Sequence, residues 1–186
     1  MITGVAFCPQ APALDPAVGR GLDAELGPVR RACRAAVARV ATSGTSLVVV
    51  GGTPGHDVAT WVMTDAVGHE SWTAAAADDG LAGRLDGAHP VAVVVLGDGS
   101  ARRSEQAPGH LDARSAGFDE GVTAALAGGD PARLAALDGD LGCDLLAAGV
   151  PAWHAVAAAL GARRFTADVL YDDAPFGVGY VVAVWS

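Results

Sequence analysis

Val91-Ala92-Val93-Val94-Val95-Leu96-Gly97 is an unbroken apolar run stopped by glycine, and its reading decides the fold. A strand with one face in water alternates apolar with polar residues, whereas a strand covered on both faces stays apolar throughout. β-Branched valine suits such a strand, since its restricted side chain packs well on a pleated surface. Leu47-Val48-Val49-Val50 ends in the same way at Gly51-Gly52, and Ile2–Cys8 is a third apolar segment, halted by Pro9, Pro12 and Pro16. Between Ile2–Cys8 and Leu47–Val50 lies a stretch of helical spacing. Strand, helix, strand, further elements, strand is the order of an α/β sandwich with right-handed crossovers.

The helical stretch begins at Pro28, where Val29, Ala32, Cys33, Ala36, Val37 and Val40 form one face. Arg30, Arg31, Arg34 and Arg39 are assigned to the remaining surface, with Pro28 in the first turn. Residues 99–117 are polar and without period, long enough for a functional loop. Residues 117–160 read as several short Ala-rich helices with Pro131 and Pro151 in first turns, and residues 169–171 and 179–185 as two closing strands around a Gly/Pro turn. No repeat or linker divides residues 1–186, so a single domain is expected.

Composition narrows the function. Of 186 residues, 51% are hydrophobic and 18% charged, which excludes intrinsic disorder. The net charge of −9 opposes binding to a phosphate backbone, so no nucleic-acid partner is expected. Lysine is absent, which removes P-loop, Schiff-base and pyridoxal chemistry. No apolar run reaches the ~18–20 residues of a membrane span, and no charged leader precedes the apolar start; a cytoplasmic protein without a membrane partner is the expectation. Cys8, Cys33 and Cys143 are neither a disulfide framework nor a zinc pattern.

In open α/β sheets ligands bind beyond the carboxyl ends of the strands. The loop after Leu96 offers Asp98, Ser100, Arg102 and Arg103, which suit an anionic group or, alternatively, simple turn chemistry. Its serine is misplaced for a nucleophile elbow, and the third glycine of a dinucleotide fingerprint is missing. Among the histidines, His56 follows a strand and a Gly-Gly turn, and His110 sits in the long polar loop; His89 and His154 read as structural. No local metal spacing occurs, so a metal would need ligands gathered from separate loops.

Four segments in order, Cys8-Pro9-Gln10-Ala11-Pro12, Gly97-Asp98-Gly99-Ser100, Ala107-Pro108-Gly109-His110-Leu111-Asp112 and Ala174-Pro175-Phe176-Gly177-Val178-Gly179-Tyr180, resemble the LigB-like family. That family comprises the catalytic B subunits of class III extradiol aromatic-ring-opening dioxygenases and their Memo-like relatives. The resemblance runs through nearly the whole chain. It implies a three-layer α/β sandwich, a mostly parallel central sheet flanked by helices, holding non-haem Fe(II) on two histidines and a carboxylate with open positions for a catechol-type substrate and O₂.

Matched residue by residue, the family's first histidine ligand falls on Gln10, and the second on Thr53 or, with a small shift, His56. The carboxylate falls on Asp173, and the acid/base histidine after Ser100 is replaced by Ala101. Gln is a far poorer Fe(II) ligand than imidazole, and losing an acid/base group costs roughly 10²–10⁴ in rate. The expectation is a LigB-like protein lacking the usual Fe(II) site, a binding protein or divergent enzyme for a small molecule, and a homodimer. One alternative retains a ring-opening oxidoreductase on an altered centre of Fe(II) or another divalent metal, built from Gln10, His56 and Asp173. Another is metal-independent hydrolysis through Ser100. Asp98, Ser100 and His110 are the candidate catalytic groups, and Thr53, Arg102 and Arg103 the candidate substrate contacts.

Overall fold

The computed structural model describes residues 1–51, 61–63, 72–78 and 80–186. Its elements run β1 (Ile2–Cys8), α1 (Asp23–Val40), β2 (Ser46–Gly51), β3 (Thr73–Ala75), α2 (Leu81–Leu85), β4 (Val91–Leu96), α3 (Ser115–Ala127), α4 (Pro131–Ala135), α5 (Gly139–Asp144), α6 (Val150–Leu160), β5 (Ala167–Asp173) and β6 (Tyr180–Trp185). The fold is α/β around a six-stranded sheet of order β3-β2-β4-β1-β6-β5.

The valine run behaves as its composition requires. All six residues of β4 are buried. Val91, Val93 and Val95 join a core with Phe118 and Val122 of α3 and Trp153 and Val156 of α6. Ala92, Val94 and Leu96 join a second core with Leu26, Val29, Cys33 and Val37 of α1. Successive side chains point to opposite faces, so helices cover the strand on both sides.

The sheet is mixed. β3, β2, β4 and β1 pair in parallel, but β1–β6 and β6–β5 are antiparallel. The short turn between Asp173 and Tyr180 accounts for the antiparallel β5–β6 pair, because a tight turn can only return a strand antiparallel. The hairpin ends on Trp185, whose indole Nε1 donates to the Leu126 carbonyl at 2.6 Å and whose ring meets Phe7 edge-on at 4.8 Å.

Two sequence readings of α1 need correction. The helix begins at Asp23, with Pro28 inside it rather than in its first turn. Pro28 and Ala24 are both exposed, so the carbonyl deprived of its amide partner can be hydrated. Arg30 is not a surface residue: it is 3% exposed. Its guanidinium donates to the carbonyls of Leu14 (2.9 Å), Ala13 (2.9 Å) and Gly19 (3.1 Å), pinning the proline-rich loop after β1 against the helix. Helical spacing cannot foresee this, since those three acceptors are backbone atoms of a loop before the helix, although Nη1 also pairs with Asp23 on the helix itself.

Candidate functional site

The parallel strands β1, β2 and β4 end on one edge of the sheet, and the β5–β6 turn closes over the same edge because β5 arrives there and β6 leaves from it. Register brings the quoted loops together. Gln10 N–H donates to the Asp98 carboxylate (2.8 Å). Gly99 N–H donates to Gly179 O (2.8 Å), Gly179 N–H to Ser100 O (2.8 Å), Arg103 N–H to Gly177 O (3.0 Å) and Gly109 N–H to Ala101 O (3.0 Å). The other three segments carrying the family resemblance therefore contact the loop after β4, which holds the fourth.

That loop splits its polar side chains between the two faces. Asp98 turns toward the β1 loop, accepting from the backbone of Gln10 and Ala11, and loss of hydration pushes its carboxyl up to about 6 despite those bonds. Tyr180 and Cys33 feel its charge, and Tyr171 and Cys8 share their core cluster. Tyr180 is buried, and burial together with the Asp98 carboxylate holds its phenol protonated well beyond the ordinary tyrosine range. Tyr171 is raised as well, by burial and then by Asp173 and Asp172. The Cys33 thiol hydrogen-bonds to Cys8, and that contact with burial raises it strongly. At neutral pH the group holds two phenols, the Cys33 thiol and one carboxyl able to hold or release a proton.

Ser100 faces the other way. It is fully buried, its N–H donating to Asp119 Oδ1 and its hydroxyl to Asp119 Oδ2, each at 2.7 Å. Arg103 Nη1 reaches the same Oδ2 at 3.0 Å. Asp119 is 3% exposed and fits because Gly99 and Gly179 have no side chains: a Cβ would lie 2.7 Å and 2.5 Å from its carboxylate oxygens. This triad locks the β4 loop, α3 and the β5–β6 turn together, so Arg103 spends its charge inside the protein. Asp119 was not singled out from sequence, yet its signal was present: an acid on the buried stripe formed by Ser115, Phe118, Val122 and Leu126.

His110 is exposed, held at φ 57° with Nδ1 3.3 Å from the Glu105 carbonyl. Asp173 is exposed and its Oδ1 accepts from Ala174 N–H at 2.7 Å, the turn chemistry open to it from sequence. Arg102 is half-buried, and its carbonyl accepts from Asp112 N–H (3.0 Å) and Ser115 Oγ (2.8 Å). His56 and Thr53 lie outside the described residues. Thus Gln10 and Asp98 come together, while Ser100 with Arg103, and His110, belong to separate settings.

The described residues do not fit a two-histidine, one-carboxylate Fe(II) centre. Gln10 supplies a neutral amide where imidazole is needed, and Asp173 is engaged with its own backbone. Among the described residues no three His, Cys, Asp or Glu side chains are placed to hold a metal ion, and no helix is long and apolar enough to cross a membrane. Compared with protein-family models and with curated proteins, the chain matches none.

Proposed function

We propose that this chain is a LigB-like three-layer domain that binds a small molecule at the carboxyl ends of β1 and β4 under the β5–β6 turn, in place of the family's iron chemistry. The observation that carries this reading is the convergence of three resembling segments on the fourth, the loop after β4, although together they span residues 8–180. Convergence argues for a common architecture; the donor set at that edge argues for a changed task.

The residues there favour recognition and proton exchange. Asp98, with its carboxyl near 6, can present either an acceptor or a donor around neutral pH, while Tyr180 and Tyr171 stay protonated. A ligand bearing hydroxyl or carbonyl groups matches that set. Removing the proton from such a group is within reach of Asp98; binding dioxygen is not within reach of any of these side chains unaided.

Anaerobic titration with Fe(II), Mn(II) and Zn(II), followed by calorimetry and elemental analysis, tests the reading. The expected result is no stoichiometric, saturable binding to wild type. Stoichiometric binding that disappears in both His56→Ala and Asp173→Ala would replace this reading with the metal-dependent oxidoreductase, and catechols would then be screened under O₂.

A further inference from the structure

Away from that edge, a cavity of about 680 Å³ opens between α5, the loop 145–149 and the first turn of α6. Val150, Ala148 and Leu146 supply apolar wall, while Asp140, Cys143 and His154 are the groups on it with polar atoms. Leu146 is held at φ 57°, a left-handed conformation costly for a side chain with a Cβ, and is 47% exposed. Leu146 takes this conformation as the left-handed residue that ends α5, where Ala147 N–H donates to Gly142 O at 2.8 Å, and the cap leaves its side chain on the cavity wall.

The polar groups define the occupant. His154 Nε2 donates to the Leu137 carbonyl at 3.1 Å, so that Nδ1 is the ring nitrogen left for a ligand. Asp140 adds a carboxylate at the rim, and no arginine lines the cavity. Acceptors and negative charge over apolar walls complement an apolar body carrying a cationic donor.

We infer that this cavity is a second ligand site, for a small hydrophobic ammonium compound whose ring fills the space beside Leu146 and Val150 and whose N–H groups meet Asp140 and His154. It is independent of the site proposed at Gln10 and Asp98. The two are nevertheless neighbours: Ala101 N–H donates to Leu145 O and Gly149 N–H to Asp98 O, each at 2.9 Å, so the cavity loop is bonded to the loop after β4.

The test uses 1-naphthylmethylammonium as probe and the anion 1-naphthoate as its charge-reversed control, read by amide NMR shifts on the full chain. Saturable shifts confined to residues 139–154 are expected, with Kd on the order of 10⁻⁴ M for so small a ligand. Naphthoate should bind at least about fivefold more weakly, and Asp140→Asn should weaken the cation about two- to fivefold. Cys143 allows the cavity to be filled reversibly: benzyl methanethiosulfonate on this exposed thiol should abolish probe binding, and dithiothreitol should restore it. If the capped protein loses its native spectrum, Ala148→Phe, at an exposed position, provides the same block. Absence of saturable shifts, equal binding of naphthoate, or binding indifferent to both blocks would overturn the proposal.

Discussion

Ser100 and Asp119, nineteen residues apart, hold each other twice: the backbone N–H and the hydroxyl of one residue each donate to a separate oxygen of the other at 2.7 Å. With Arg103 on the same carboxylate, three of its roughly four acceptor positions are used. Removing the acid leaves three donors, one of them charged, with no substitute. Asp119→Ala should therefore cost about 3–5 kcal/mol of unfolding free energy, and Ser100→Ala about 1–2 kcal/mol. Urea denaturation followed by circular dichroism measures both. A loss below about 1 kcal/mol for Asp119→Ala would mean that the loop is held elsewhere.

The same carboxylate makes two kinds of glycine distinguishable. Gly179 would place a Cβ 2.5 Å from Asp119 Oδ2, whereas Gly117 and Gly121, in the middle of α3, would place theirs in open space. Gly179→Ala should destabilise by about 1–3 kcal/mol through overpacking. Gly117→Ala and Gly121→Ala should each stabilise by about 0.5–1 kcal/mol through helix propensity alone. Opposite shifts in melting temperature would show that packing at the clasp, not glycine content, decides. Shifts of one sign would dismiss the distinction.

Legibility followed how local the physics is. The unbroken valine run announced a strand covered on both faces, and β4 is that strand; Pro131 and Pro151 announced helix starts, and both stand in first turns. Antiparallel entry of β6 beside β1 was not legible, because strand order depends on which edge a hairpin docks against. Within the site, loops could be chosen by position but not their side-chain directions. Asp98 and Ser100 are two residues apart yet serve opposite faces, one bound to Gln10 and the other to Asp119. Arg30 read as surface charge and Arg103 as a substrate contact because sequence cannot show a carbonyl or carboxylate arriving from another element.

Thiol reactivity should separate the three cysteines. Cys143 is exposed, whereas Cys8 and Cys33 are buried and hydrogen-bonded to each other. Burial and that contact suppress the thiolate form of Cys33, and burial shields Cys8 from reagent. Ellman's reagent at pH 8 should titrate one thiol rapidly in the native protein and all three in guanidinium. Cys143→Ser should remove the rapid phase. A rapid native count of two or three would place Cys8 or Cys33 within reach of solvent and undo the packing described around Asp98.

Asp98 gives the pH dependence its sign. Its carboxyl stands at about 6 in the fold against an ordinary 3.8, so between those values the folded chain binds more protons than the unfolded one. Stability attributable to Asp98 is therefore greatest below pH 3.8, falls as pH rises toward 6 and is level above it, a span of up to about 3 kcal/mol. Asp112 acts in a lower window: Arg114 holds it down to about 2, so its contribution is lost only as pH falls below the usual carboxylate range. Asp98→Asn keeps an oxygen for the Gln10 N–H and cannot ionise. Subtracting the variant's stability curve from wild type cancels Asp112 and isolates Asp98. The variant should be the more stable protein at pH 8, with the advantage vanishing toward pH 4. A difference that stays constant across that range would show that Asp98 is hydrated in the fold. In that case the proton exchange assigned to it would lose its physical basis.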